Sequence, residues 1–191
     1  DLDDNIKANK GELLCFYGKQ ITVIKHLIND LKLTHIFFND DYSPYAIQRD
    51  NETKQLCNKL DVKCITYPDY YLYEPGTVLV DSTKQAYKKY TPFYNAVLNN
   101  NVSKPRNITS FPFSTTSKRL KYVISLKESM DKFVKLNASI LVHGGRTHAL
   151  KKLETSLRDQ KDYDLSRDFF TYKTTHLSAY IKFGCVSIRE V

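Results

Sequence analysis

Three hydroxyl-bearing residues near the end of the chain have the spacing to hold a phosphate group. Thr174 and Thr175 precede an apolar pattern at Leu177 and Tyr180, and Ser178 lies within that pattern. The pattern predicts a helix that begins at the threonines. The first backbone N–H groups of a helix are unpaired, so together with hydroxyls they suit a pyrophosphate. The same hydroxyls commonly serve only as helix caps, and these residues alone favour capping.

The last residues predict a second helix start. Gly184 suits the end of the preceding helix. Ser187 and Glu190 then have the spacing of a capping box, in which each side chain bonds to the other residue's backbone N–H group. Only Val191 follows, and a single turn cannot sustain a helix. We therefore expect that the chain has lost what came next.

A glycine pair precedes another predicted helix. Gly144 and Gly145 come directly before Arg146, and a turn of this kind is able to bind a phosphate at a helix start. A lone glycine pair more often only shapes the entry into a helix, which is the favoured interpretation. The apolar face of this predicted helix consists of Ala149, Leu150, Leu153 and Leu157.

Composition sets broad bounds on the class of protein. The 191 residues, 41% of them hydrophobic, allow one domain or one domain with part of a second. No run approaches the roughly 20 apolar residues of a membrane helix, and the acidic start is no signal peptide. The formal charge of +8 favours a polyanionic partner. The four cysteines lack C-x-x-C spacing, which argues against zinc and for thiols in an intracellular, reducing compartment.

The first part of the chain alternates strand and helix patterns. Apolar runs predict buried strands over residues 12–18, 34–40 and 63–69, and helical patterns lie between them over 21–31 and 43–60. This order predicts an α/β fold with a Rossmann-like, doubly wound parallel sheet. Ligands then bind beyond the carboxyl ends of the strands, near Gly18, residues 39–42 and residues 67–70. No G-x-G-x-x-G follows a strand, which argues against a dinucleotide dehydrogenase.

The pattern weakens towards the middle of the chain. Residues 99–140 include a polar segment with proline and serine, the best candidate for a linker. We therefore predict an α/β domain over residues 1–98, a linker over 99–140 and a helical domain that starts at 141 and continues to 191.

Five segments in order resemble one protein family. Residues 39–50, 73–78 and 90–97 resemble the antenna domain of DNA photolyases and cryptochromes. Residues 144–153 and 163–191 resemble the junction and the first helices of the flavin domain of these proteins. The amino-acid sequence of the last segment is most similar to that of the cyclobutane-dimer photolyases. The resemblance implies an α/β antenna domain followed by the first helices of an all-α FAD-binding domain.

The resemblance implies roles for seven residues. Arg167 occupies the place of an arginine that touches the DNA backbone, and no residue of this chain matches a catalytic one. The positions implied to contact FAD are Tyr163, Thr174, Thr175, His176, Leu177 and Ser178.

Departures from the family limit what the resemblance implies. Tyr45 and Ala46 replace the Asn-Glu pair that holds a folate in some members, so the antenna chromophore stays unassigned. The chain has no tryptophan, whereas the family relays electrons along tryptophans. It also lacks the opening strand motif and the flavin-ring pocket, so we expect a chain truncated at both ends.

The resulting functional expectation is a truncated deoxyribodipyrimidine photolyase. The family activity is the FAD-dependent, blue-light-driven splitting of cyclobutane pyrimidine dimers in UV-damaged DNA, and we expect the fragment to be inactive alone. A second polypeptide with the remaining helices is one way to complete it. The alternatives are a cryptochrome-like flavin photoreceptor remnant and a non-catalytic nucleotide-binding α/β module.

Overall fold

The computed structural model describes residues 1–69, 71–105, 111–135, 137–160, 162–172 and 174–191, without the side chains of residues 157 and 159. The strands in this part of the chain are β1 (His35–Asn39) and β2 (Lys63–Tyr67). The helices are α1 (Leu2–Ala8), α2 (Gln20–Leu31), α3 (Pro44–Lys59), α4 (Tyr90–Val97), α5 (Leu126–Phe133), α6 (Arg146–Asp159), α7 (Tyr163–Ser166) and α8 (Leu177–Lys182).

The two strands form a parallel pair joined through α3. The register runs from His35 opposite Lys63 to Asn39 opposite Tyr67. A parallel pair needs a crossover of this kind, because its strands enter from the same end. The predicted α/β class with a parallel sheet is therefore confirmed.

Helix α3 begins where its sequence predicts. The Ser43 hydroxyl accepts a hydrogen bond from the Ala46 N–H group at 3.3 Å, and Pro44 fills the first helical position. This cap satisfies one of the unpaired N–H groups of the first turn. Below it, Ile28 of α2, Cys57 of α3 and Val62 form a buried cluster beside the sheet.

The strand predicted over residues 12–18 is wrong. Within the described residues this segment joins neither β1 nor β2, and Phe16 makes an isolated antiparallel bridge with Val123. The Tyr17 N–H group donates to the Tyr122 oxygen at 2.9 Å. An apolar run indicates burial but not a partner, and here the partner is a short segment about a hundred residues away in sequence.

A second apolar cluster joins α6 and α8. Its buried members are Ala149 and Leu153 of α6, Leu177 and Tyr180 of α8, and Val186. The predicted face of α6 is confirmed at Ala149 and Leu153. It is wrong at Leu150, which is 42% exposed, while the side chain of Leu157 lies outside the described part.

The chain divides into two compact units. One comprises Asp1–Leu13, Lys104–Ser117 and Lys127–Val191, and the other comprises Leu14–Ser103 and Lys118–Leu126. Helix α5 lies within the segment predicted as a linker. The domain limits at 98 and 140 stay a prediction. None of the described helices has the length and apolar character needed to span a membrane.

Candidate functional site

The segment before α8 differs from a simple threonine cap. Helix α8 begins at Leu177, and the capping position belongs to His176, whose φ of 53° is left-handed. The Thr175 hydroxyl accepts a hydrogen bond from the Leu177 N–H group at 3.4 Å. The Thr175 hydroxyl thus pairs with the first N–H group of α8, as predicted for a cap, but His176 and not a threonine occupies the capping position.

The polar groups of this segment are accessible, and the apolar residue between them is not. Thr174, Thr175 and His176 are half-buried and Ser178 is exposed. Leu177 is only 6% exposed and packs in the α6–α8 cluster. The buried leucine anchors a segment that presents hydroxyls and an imidazole without a carboxylate, so its chemistry fits an anionic group.

Of the other two predicted site residues, Tyr163 is the first residue of α7 and Arg167 directly follows its last residue. The Arg167 N–H group donates to the Tyr163 oxygen at 2.9 Å, which puts the two residues one helical turn apart. Arg167 is largely exposed, and its Nε lies 3.8 Å from the Asp168 carboxylate. Tyr163 is 42% exposed. The structure thus groups five predicted residues before and in α8 and two at the start and the end of α7. Contact between the two groups stays a prediction.

Helix α8 ends at a glycine as predicted. Gly184 has a φ of 65°, and its N–H group donates to the Ile181 oxygen at 3.1 Å. The Cys185 N–H group donates to the Tyr180 oxygen at 2.8 Å. These two bonds form a Schellman motif, which satisfies the last carbonyls of the helix.

The following turn contains the predicted capping-box bonds. The Ser187 N–H group donates to Glu190 Oε2 at 2.8 Å, and the Ser187 hydroxyl accepts from the Arg189 N–H group at 3.2 Å. The reciprocal bonding predicted from the spacing is confirmed, with the hydroxyl paired one residue earlier than in the standard box.

Arg146, the first residue of α6, binds this turn. Its Nη1 and Nη2 atoms donate to Glu190 Oε2 at 2.7 Å and Oε1 at 2.6 Å, and Nη1 also donates to the Cys185 oxygen at 3.2 Å. The hydrogen bonds from Arg146 lower the pKa of Glu190 to about 2. Our sequence reasoning missed this pair. The available signal was an arginine at a helix start, where a positive charge is unfavourable unless it has a partner.

The glycine turn before α6 already has an anionic partner. The Thr147 N–H group donates to the Asp1 carboxylate at 3.1 Å. Gly145 has a φ of 109°, and a Cβ atom there would lie 2.6 Å from the same carboxylate. The Asp1 carboxylate therefore occupies the place where the alternative interpretation of the glycine turn put a phosphate.

A cavity of about 190 Å³ lies at the starts of α2 and α3. Its lining begins at Lys19, the residue after Gly18, which is one of the predicted ligand positions. Another predicted position, residues 67–70, includes Tyr70, which lies outside the described residues. Both cationic and anionic side chains surround the cavity. Its lining consists of Lys19, Gln20, Ile21, Tyr45, Gln48, Arg49 and Glu52.

The cysteines are free thiols. Burial beside Cys64 raises the pKa of Cys57 to about 11. A thiol with so high a pKa is a poor nucleophile near neutral pH. In the described part of the chain, no three His, Cys, Asp or Glu side chains are arranged to hold a metal ion.

Proteins similar in sequence or in fold match nearly the whole chain. Cryptochrome-1 of Aedes aegypti is 26% identical over 99% of this chain. A deoxyribodipyrimidine photo-lyase of Alkalihalophilus pseudofirmus is 27% identical over 97% of it. The crystal structure of an archaeal photolyase from Sulfolobus tokodaii with two FAD molecules superposes with a TM-score of 0.78, at 27% identity and 99% coverage.

The chain spans about two fifths of these proteins, namely 39% of the mosquito protein and 40% of each of the other two. The family model described as DNA photolyase matches residues 1–110, more than half of the chain. The chain therefore belongs to the DNA photolyase and cryptochrome family.

Proposed function

We propose that this chain binds FAD as the antenna-side part and first flavin-contacting part of a photolyase-type flavoprotein. The observation that supports this most directly is the accessible hydroxyl segment, Thr174 to Ser178, anchored by the buried Leu177. Residues 174–178 contain hydroxyl and backbone donors and no Asp or Glu, a composition that suits a pyrophosphate. When bound, FAD supplies light absorption and electron transfer, and the protein supplies binding and orientation.

Each predicted residue has a distinct part in the proposal. Thr174, Thr175, His176 and Ser178 bind the phosphates by their polar groups, while Leu177 holds the segment against α6. Tyr163, on α7, contacts the cofactor through its half-exposed ring. Arg167, exposed beside Asp168, contacts the DNA backbone, because a guanidinium binds phosphate oxygens well.

The proposed activity of the whole protein is the light-driven splitting of cyclobutane pyrimidine dimers in UV-damaged DNA. A cryptochrome-type photoreceptor is the second candidate, favoured by the similarity to a cryptochrome-1. Because the chain has no tryptophan, it lacks the electron relay of the family, and we expect no repair by these 191 residues alone. The same proposal includes a helical part that completes the flavin pocket, an antenna chromophore that is not assigned, and an intracellular, reducing environment.

The hydroxyl segment is tested by removing two of its hydroxyls. Replacing Thr175→Ala together with Ser178→Ala deletes two phosphate donors, and we expect FAD affinity to fall about tenfold, equivalent to about 1.4 kcal/mol. The measurement is a titration of the purified chain with FAD, followed by flavin fluorescence.

A matched control removes the same two groups elsewhere. Ser82→Ala with Thr83→Ala deletes a serine and a threonine hydroxyl from an exposed turn of the other unit. This control should bind FAD like the wild type. Equal affinity of all three proteins would remove the phosphate role from Thr175 and Ser178.

A further inference from the structure

The ion pair between Arg146 and Glu190 has a geometry that exposed pairs seldom have. Two parallel N–H···O bonds of 2.7 and 2.6 Å join the guanidinium to both carboxylate oxygens. The side chain of Glu190 is 23% exposed and that of Arg146 48%. Most surface ion pairs contribute little, but bidentate arginine–carboxylate pairs are the exception.

Arg146 is not placed for the benefit of its own helix. It is the first residue of α6, where the partial positive charge of the helix dipole disfavours a cation. The anion that this helix start favours is the Asp1 carboxylate, bound by the Thr147 N–H group. The position of Arg146 is therefore explained by its partners outside α6.

Those partners all lie just beyond α8. Arg146 Nη1 donates to the Cys185 oxygen, one residue after the glycine that ends the helix. Glu190 in turn accepts the Ser187 N–H group at 2.8 Å. Arg146 and Glu190 thus tie the segment that leaves α8 to the first turn of α6.

The apolar cluster joins the same two helices. Ala149, one turn after Arg146, packs with Leu177 and Tyr180 of α8 and with Val186. Leu177 is both the first residue of α8 and a member of the hydroxyl segment. Any shift of α8 along α6 would therefore move Thr175 and Ser178 with it.

We infer that Arg146 and Glu190 are a positioning pair, which locks α8 onto α6 and so sets the place of the cofactor-binding segment. This inference rests on the proposed function, since it assigns the pair a role in binding FAD without contact to it. Two residues that lie 44 apart in sequence thereby control the geometry of the site together.

The test is a double-mutant cycle with two readouts. The variants are Arg146→Gln, Glu190→Gln and the double variant. Because the two residues act as one unit, we expect each single change to weaken FAD binding about tenfold and the double change to weaken it no further. Hydrogen exchange of the α8 amides should speed up in all three variants, while exchange in α3 of the other unit stays unchanged.

The control removes a charge from the same helix. Lys151→Gln, at an exposed position of α6, should alter neither FAD affinity nor exchange in α8. Arg146→Lys keeps the charge but loses the planar fork, so it should behave like Arg146→Gln.

The outcomes separate this inference from the proposed function. Faster α8 exchange with unchanged FAD affinity would overturn the positioning role, and so would additive losses near a hundredfold in the double variant. If the wild-type chain binds no FAD, the proposed function fails. Hydrogen exchange of the variants then tests whether the ion pair holds α8 on α6. Unchanged exchange of the α8 amides would overturn that role of the pair as well, and faster exchange would support it.

Discussion

Gly184 shows how one residue sets the end of the candidate site. Its φ of 65° lies in the left-handed region, and nothing lies within 4 Å of the place where a Cβ atom would be. The cost of a side chain there is therefore conformational and not steric crowding. The glycine allows the chain to turn towards Ser187 and Glu190.

Gly184→Ala should lower the free energy of unfolding by about 1 kcal/mol, because alanine is strained in the left-handed region. Gly184→Asn should lose less, since asparagine tolerates that conformation. Urea denaturation measures both. The matched control is Gly144→Ala, whose added Cβ atom also meets nothing within 4 Å and whose backbone is not left-handed. Equal losses at the two glycines would contradict this account.

Residue-level predictions succeeded where the partners are close in sequence. The Ser43 cap of α3 and the Ser187–Glu190 bonds follow from spacings of three residues. The partner of Arg146 lies 44 residues away, so no local pattern indicates it. The left-handed backbone of His176 was not predicted either.

At the scale of elements, α8 is too short to be stable by itself. Its six residues depend on the contacts of Leu177 and Tyr180 with α6, and on the Arg146–Glu190 pair beyond its end. Isolated helices of this length do not form in water. Stability of the site is therefore a property of the α6–α8 pair.

Because of the ion pair, the free energy of unfolding should depend on pH in the acid range. The pKa of Glu190 is lowered to about 2 from 4.5, so its contribution is complete above pH 4.5 and is lost as pH falls towards 2. Screening by solvent at the half-exposed Arg146 reduces the expected contribution to about 1–2 kcal/mol. The measurement is urea unfolding of the wild type and Glu190→Gln between pH 2 and pH 6.

The difference between the two proteins isolates this residue from the other carboxylates. It should shrink steadily from pH 5 to pH 2. A difference that stays constant over this range would show that the ionised carboxylate of Glu190 contributes nothing.

The elements themselves were predictable to different degrees. The bounds of α2, α3, β1 and β2 fall close to their predicted limits, because hydrophobic period and caps agree there. The run at residues 12–18 has the composition of a strand, but its backbone pairs with the segment from Tyr122 to Ile124 and not with β1 or β2. Pairing between distant segments is a tertiary property, which a local pattern does not contain.

At the scale of the whole molecule, family membership was predictable because five ordered segments matched together. The choice between photolyase and cryptochrome was not predictable, because relatives with either name have about the same sequence identity to this chain. Several large apolar side chains of the unit that contains α6 and α8 are exposed. The most exposed are Phe170, Phe183, Leu141 and Leu165.

The central claim is that the segment from Thr174 to Ser178 binds the phosphates of a flavin nucleotide. The measurement that tests it most directly compares FAD with riboflavin, which has the same ring and no phosphate, in fluorescence titrations of the wild-type chain. We expect FAD to bind at least about tenfold more tightly, and this preference to disappear in the Thr175→Ala, Ser178→Ala variant. Equal affinity of the wild type for the two flavins would contradict the claim.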